Sequence, residues 1–414
     1  MRIAFFAWEY PPVVVGGLGM YAENMARAIV ELGHDVAVFA LNNGQLPTRE
    51  IMRGVEVHRP IITDASKIFP LLSEELRGWG DNVKFFSDFF QYNLLSASKL
   101  VNSLAKKEGF RYDLVSFHDW LNSVAGLITK DELKLPAVFH AHSTEWGRTG
   151  GGSAIVNRLE WEAATRADSI ITVSHAMKRD LVDHSWPEDK IHVIWNGIDP
   201  QTYDPRSCDP ADTQSLRAAY GIGEEDEMIL FVGRLTWVKG AKNLVQAMPQ
   251  VLSQHPKAKL VLLGEGEEQA ELQALASRLG IGDRLRFRFQ FVPERERVAH
   301  YAAADLCVFP SIYEPFGIVG LEAMAMEKPL VVGAKGVVGL REQVVPSGPD
   351  QTGIHVDGNS PMDIAWGIMA ALSDRERARS WGRNGRRRVL QHFTWRRVAE
   401  QTISRYEEAI QARG

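Results

Sequence analysis

Met228-Ile229-Leu230-Phe231-Val232-Gly233-Arg234-Leu235-Thr236-Trp237-Val238-Lys239-Gly240-Ala241 decides the fold class of this chain. Five apolar residues in a row suit a strand hidden on both faces of a parallel sheet. The glycines punctuate a turn, and Ala241, Leu244, Val245 and Met248 then recur at the spacing of one buried helical stripe. Strand, turn and helix in that order make half of a βαβ unit. Outward from it the theme repeats, with strands expected near 259–263, 285–289, 305–309 and 329–333 downstream. Upstream they are expected near 2–8, 35–41, 113–117, 136–141, 168–173 and 191–194, separated by helices such as 20–32 and 156–166. Such alternation predicts an α/β protein with doubly wound sheets.

At 414 residues the chain exceeds what one core usually supports, so two domains are expected. Asn196-Gly197-Ile198-Asp199-Pro200 and the Pro- and Asp-rich passage to Asp212 read as the linker, which puts a boundary near residue 200. Hydrophobic residues at 45% and charged residues at 24% are ordinary for a globular protein. Cys208 and Cys307 are the only cysteines, without ligand spacing, which argues against a disulfide framework. The apolar run after Met1 is too short for a signal peptide, and no stretch approaches a membrane span. A cytoplasmic protein without integral membrane association is expected.

The chemistry is concentrated in Glu314-Pro315-Phe316-Gly317-Ile318-Val319-Gly320-Leu321-Glu322, between a strand pattern and an apolar helix. Gly317 and Gly320 keep the helix start open, and its free N–H groups suit an anion. A carboxylate on each side can grip hydroxyls, so the run suits a sugar joined to a phosphate. Taken alone, the run fits equally well a solvated loop residue at Glu314 and an exposed helix residue at Glu322. Arg234 and Lys239 change the balance, because they flank a second strand-to-helix turn. In an open parallel sheet both turns are expected at the carboxyl ends of the strands, facing one crevice.

On these residues the chain resembles the retaining glycosyltransferases of family 4, with features of glycogen and starch synthases, over nearly its whole length. The resemblance implies the GT-B fold, two Rossmann-like doubly wound domains facing each other across a cleft. Residues 1–199 would be the acceptor domain and 200–394 the nucleotide-sugar donor domain, with 395–414 a helix returning to the first. It implies that Glu314 contacts the hexose hydroxyls, Glu322 the ribose, and Arg234 and Lys239 the diphosphate, with Phe316, Gly317 and Ile318 lining the donor. Arg288-Phe289-Gln290-Phe291-Val292-Pro293 resembles the base-binding segment, which leaves ADP or UDP open.

The first domain has its own glycine turn, Gly16-Gly17-Leu18-Gly19, opening a helix. Gly17-Leu18-Gly19-Met20-Tyr21-Ala22 matches a dinucleotide fingerprint and raises a dehydrogenase as rival. A prolyl loop separates it from the strand, however, and the second strand ends in Leu41-Asn42-Asn43 without the acid that would hold a ribose. By the resemblance Gly16 and Gly17 lie against the donor phosphates or the acceptor. Gly264-Glu265-Gly266-Glu267-Glu268 reads as a helix start and nothing more.

His140 and His142 end a first-domain strand, where they are expected on opposite faces with only one turned to the ligand. By resemblance that one is His142, orienting the sugar and stabilising developing charge. His118-Asp119-Trp120 resembles the "HDW" of glycogen synthases and is expected on the acceptor side. His118, Asp119, His140 and His142 also sketch a metallohydrolase, but the strand is expected to split the histidines and no Asp-x-Asp clamp exists. Metal-independent transfer without a cofactor is therefore expected, with His142, Arg234, Lys239 and Glu314 carrying the reaction.

Residues 1–199 hold 20 Lys and Arg against 25 Asp and Glu, leaving 27 of each from the totals of 47 and 52. An acidic first half argues against docking on anionic lipid and favours a soluble sugar or α-glucan acceptor. The aromatic stretch Phe85, Phe86, Phe89, Phe90 and Tyr92 is expected to pack against the domain. The basic run Arg383 to Arg388 is expected at a solvated helix end rather than on nucleic acid. A GT-B nucleotide-sugar epimerase, or a transferase to a lipid or other small molecule, stays open as an alternative.

Overall fold

Unbroken apolar runs become strands hidden on both faces. The computed structural model describes residues 1–14, 16–72, 82–290 and 292–413. The first sheet comprises Arg2–Phe6 (β1), Asp35–Phe39 (β2), Arg49–Met52 (β3), Val55–His58 (β4), Leu114–His118 (β5), Ala137–Ala141 (β6), Ser169–Thr172 (β7) and Ile191–Val193 (β8). The second comprises Met228–Val232 (β9), Lys259–Leu263 (β10), Leu285–Arg288 (β11), Leu306–Phe309 (β12), Leu330–Gly333 (β13) and Gly353–Val356 (β14).

The chain divides into two units, one of Met1–Val173, Leu181–Ile194 and Trp395–Gly414, the other of Ser174–Asp180 and Trp195–Thr394. In the first unit the strand order is β3-β4-β2-β1-β5-β6-β7-β8, parallel except for the β3–β4 pair. In the second it is β11-β10-β9-β12-β13-β14, parallel throughout. Each order reverses once, between β1 and β5 and between β9 and β12, the place where open α/β sheets collect ligands. The hairpin β3–β4 and the edge strand β14 escape a search for apolar runs. β3 is a charged edge, Arg49-Glu50-Ile51-Met52, and β14 opens on Gly353.

Helix Gly17–Glu31 buries Tyr21, Met25, Ala26 and Ile29 over β1 and β2. The last helix, Trp395–Gln411, joins the same core through Trp395, Val398, Ile403 and Tyr406. Each large apolar side chain so covered contributes about 1.5–3 kcal/mol. In the second unit, Leu244, Val245 and Met248 of helix Ala241–Gln254 cover Ile229 and Phe231 of β9.

The passage after Asn196 is anchored at Tyr203 and becomes exposed from Arg206 to Asp212 except at half-buried Cys208. Tyr203 is only 1% exposed, and Arg386 ties it down by donating to the Tyr203 carbonyl oxygen (2.9 Å) and pairing with Asp204 (2.9 Å). Asp209 then caps helix Pro210–Ala219 by accepting from the Ala211 amide (2.8 Å). Its polar residues serve as turn and cap formers just after the point where the two units divide.

Candidate functional site

The turn after β9, Gly233 to Gly240, is held by its neighbours through the backbone. The Leu235 amide donates to the Glu265 carbonyl (2.7 Å), the Glu268 amide to that of Leu235 (3.1 Å), and the Ile312 amide to that of Val238 (2.8 Å). Contact is so close that a Cβ on Gly264 would lie 1.9 Å from the Gly233 oxygen, and one on Gly266 2.2 Å from that of Leu235. Gly264-Glu265-Gly266 is thus more than a helix start. It buttresses the turn, and side chains there would push the turn off its seat. Gly240, at φ +72°, likewise abuts the Pro310 oxygen, 2.1 Å from where its Cβ would stand.

Because β9 and β12 flank the reversal, this seating brings the two turns together. Lys239 and Glu314 form an ion pair. Glu314 is 8% exposed, and its backbone bonds to Val337 and Gly339 (both 2.8 Å) lock the loop that carries it. Arg234 is exposed and has no ion pair among the described residues. Phe316 is buried, whereas Ile318 is half-exposed at the start of helix Ile318–Ala325. Gly317 enters that helix at φ +87°, with no capping side chain and no acid in the first turn, leaving the end to an anion. Gln343 steadies it, its Nε2 donating to the carbonyls of Phe316 (2.7 Å) and Gly317 (3.1 Å).

Glu322 is 5% exposed and engaged at both oxygens. The Tyr203 hydroxyl donates to Oε1 (2.8 Å), the Tyr301 hydroxyl to Oε2 (2.7 Å), and Arg297 stands 3.3 Å from Oε1. Neither glutamate is therefore a solvated surface residue, because tertiary partners make their burial tolerable. Tyr203, Tyr301 and Arg297 escaped the sequence reading, since nothing local marks which carboxylate a distant tyrosine will meet. A carboxylate accepts about four hydrogen bonds, so Glu322 keeps capacity for a hydroxyl.

In the first unit, Gly16 and Gly17 are exposed at the start of their helix. The Gly16 amide donates to Glu9 Oε2 (3.1 Å), and nothing lies within 4 Å of where a Gly16 Cβ would stand. Packing therefore does not require glycine at 16. It does at 19, where a Cβ would meet Val14 at 2.8 Å and Glu9 at 2.9 Å.

His140 and His142 stand on one side of β6, correcting the expectation that the strand splits them. Alternation places residues two apart on the same face. His118, paired with His140 across β5 and β6, joins them, and ligand-capable atoms of all three lie within 4.8 Å of one another. His118 is 0% exposed and Asp119 is buried. Asp119, at φ +53°, accepts from the His142 amide (2.7 Å) and the Ser143 amide (3.3 Å), which fixes the chain bearing His142. Trp120 stays half-exposed beside Phe85 and Phe89. Of the aromatic stretch, Phe89 and Tyr92 are buried while Phe85 and Phe90 remain exposed.

Burial lowers the basicity of all three imidazoles, most strongly for His118 and His140; the fields of neighbouring histidines add to it there, while Asp119 opposes it at His142. Glu160, behind this group, is pushed up to about 8 by burial and then by the charge of Asp119. Its oxygens accept from the Glu145 amide at 3.0 and 3.2 Å.

The basic run on helix Arg375–His392 is used internally. Besides Arg386, Arg388 donates to the carbonyls of Gln343 (2.8 Å) and Glu342 (3.0 Å), leaving Arg383 and Arg387 exposed. Phe291 of the base-binding segment lies outside the described residues. Among those described, no helix is long and apolar enough to cross a membrane.

Residues 212–388 match the family described as Glycosyl transferases group 1, and residues 15–202 match Glycosyltransferase Family 4. An uncharacterized glycosyltransferase of Methanocaldococcus jannaschii, MJ1607, is 34% identical, with all of both chains covered. This chain is a family 4 glycosyltransferase. The glycogen synthase of Mycobacterium tuberculosis is 30% identical over 98% of this transferase and 94% of its own length. Among solved structures, sucrose-phosphate synthase from Thermosynechococcus elongatus superposes with a TM-score of 0.75 at 26% identity, covering 99% of each chain. The family 4 enzyme is thus a glycosyltransferase similar to glycogen synthase and sucrose-phosphate synthase, and its two doubly wound sheets are those of the GT-B fold.

Proposed function

We propose that this glycosyltransferase moves a hexose, glucose by preference, from a nucleoside diphosphate sugar to a hydroxyl of a sugar or α-glucan, with retention at the anomeric carbon. The observation that carries the reading is the Lys239–Glu314 pair beside an uncapped helix start. A cation, a carboxylate and free amides converge where a diphosphate and a hexose would each find their partner. Before the donor arrives the two side chains satisfy each other. Once it is bound, Lys239 with Arg234 would face the phosphates and Glu314 the sugar hydroxyls, with Phe316, Gly317 and Ile318 along the donor. Glu322 would turn its spare acceptor capacity to the ribose, and the space beside Gly16 and Gly17 would admit phosphate or acceptor.

In the proposed reaction the acceptor oxygen attacks the anomeric carbon from the side on which the diphosphate leaves. The carbon–oxygen bond to phosphate breaks, and the acceptor proton passes to the departing phosphate oxygen, so the configuration is kept. His142 would orient the sugar and steady its developing charge, acting as neither nucleophile nor base. Most of the rate would come from positioning and from fixed positive groups around the leaving diphosphate, a task that needs no metal ion. A relative named glycogen synthase and the acidic balance of residues 1–199 support a carbohydrate acceptor over an anionic lipid surface.

The test is a panel of ADP- and UDP-hexoses incubated with and without small α-glucans. Diphosphate release that depends on the acceptor, with an α-linked product, is the expected result. Isomerisation of the donor without acceptor would replace transfer by epimerisation. His142→Ala is expected to lower turnover while donor affinity holds, and unchanged turnover would remove His142 from the reaction.

A further inference from the structure

Six side chains of the first unit meet end to end. The Tyr21 hydroxyl lies 3.3 Å from Nδ1 of His140, whose Nε2 lies 2.8 Å from the hydroxyl of Tyr406. Tyr406 is 2.8 Å from Ser116 Oγ, Ser116 is 3.2 Å from Nε2 of His118, and Nδ1 of His118 is 3.1 Å from Nε2 of His142. The groups come from β5, the β6 end, the helix Gly17–Glu31 and the last helix. All but His142 are buried.

A neutral imidazole has one donor and one acceptor nitrogen, and each hydroxyl has one proton to give. If Tyr406 or Ser116 accepted from both neighbours its own buried proton would be stranded, so with all five links made the chain is left to point one of two ways. If it points away from His142, the Tyr21 proton is left buried without an acceptor, which is costly. If it points toward His142, every link is satisfied: Tyr21 donates to His140, His140 to Tyr406, Tyr406 to Ser116, Ser116 to His118, and His118 to Nε2 of His142. His142 then carries its own proton on Nδ1, the nitrogen without a partner among the described residues.

We propose that this chain, with Tyr406 and Ser116 at its middle, is a positioning device that holds His142 as the Nδ1–H tautomer, presenting a hydrogen-bond donor at the end of β6. Lowered basicity of the three rings supports it, since each must stay neutral for the links to hold. The two tyrosines lie far apart in sequence and reach the histidines only through the returning last helix and the first helix. The same wiring bears on the metal question, because an ion taking these nitrogens would have to break the links.

This inference rests on the proposed role of His142, and its test is read without turnover. Protein labelled with 15N-histidine is examined by long-range proton–nitrogen correlation at neutral pH, alone and after chelator treatment. The expected spectrum shows His142 neutral with its proton on Nδ1, unchanged by chelator. Tyr406→Phe keeps the ring and removes the central hydroxyl, and Ser116→Ala cuts the next link. Both are expected to turn His142 into a mixture of tautomers, Tyr406→Phe lowering kcat several-fold with little change in donor KM. A proton on Nε2 of His142 in the unaltered protein, tautomers indifferent to both substitutions, or resonances that shift when a bound metal is stripped would each overturn the proposal. If the tautomer is as expected but His142→Ala transfers sugar normally, the chain stands and the catalytic assignment falls. The reverse outcome separates them the other way.

Discussion

Lys239, in the turn after β9, and Glu314, in the turn after β12, are joined as an ion pair although 75 residues separate them in sequence. Their side chains are 18% and 11% exposed, so water screens the pair poorly. Removing one partner strands the other, which makes the choice of substitution matter. Glu314→Gln and Lys239→Met, close in size and neutral, should each lower kcat/KM for donor at least 100-fold, the scale on which preorganised charge acts. The check is steady-state kinetics beside a thermal melt. Near-normal turnover in a folded variant would count against the pair.

Buried Glu322 accepts from Tyr203 and Tyr301 with Arg297 beside it, so both hydroxyls should matter to stability without touching the turn at Lys239. Tyr203→Phe or Tyr301→Phe should destabilise by about 1–3 kcal/mol each, the cost of leaving a buried acceptor short of a donor. The double variant should depart from additivity, since both act on one carboxylate. Urea unfolding of the four proteins reads this directly, and strict additivity would mean the two bonds are independent.

Glu160 supplies a pH signature. Its carboxyl is pushed up to about 8 in the fold and returns to the ordinary range, near 4.3, when unfolded. The native state therefore binds the extra proton, and stability from this group falls as pH rises from about 5 to 8, by up to about 1.4 kcal/mol per unit, then levels off. Glu160→Gln keeps the shape and stays neutral, so its melting temperature should exceed that of the unaltered protein increasingly from pH 6 to pH 8. Parallel melting profiles across that window would show that Glu160 is not held protonated.

Metal independence is also open to measurement. Exhaustive chelation should leave transfer within about twofold of the untreated rate, because Lys239, Arg234 and the helix start at Gly317 supply the fixed positive field. Loss of activity restored by a divalent cation would contradict this.

Much of the site was legible because its signals are local. β9 and β10 coincide with their apolar runs, and the Glu314 to Glu322 run does lie between a strand and a helix. What was misread needed partners. Gly264 and Gly266 looked like a helix start because the Gly233 and Leu235 carbonyls that press on them lie some 30 residues away. His140 and His142 were expected on opposite faces, yet they join His118 in one cluster.

The order of residues alone determined that this chain builds two doubly wound sheets of the family 4 glycosyltransferases, and which turns carry charge. Apolar periodicity and glycine placement act over a few residues, and the chain spells them out directly. Tertiary structure alone decided that Lys239 meets Glu314, that two tyrosines hold Glu322, and that Tyr406 reaches His140 and Ser116. These are encounters of side chains far apart in sequence. Each depends on strand order and helix packing, which place a hydroxyl or a cation within 3 Å or leave it in water.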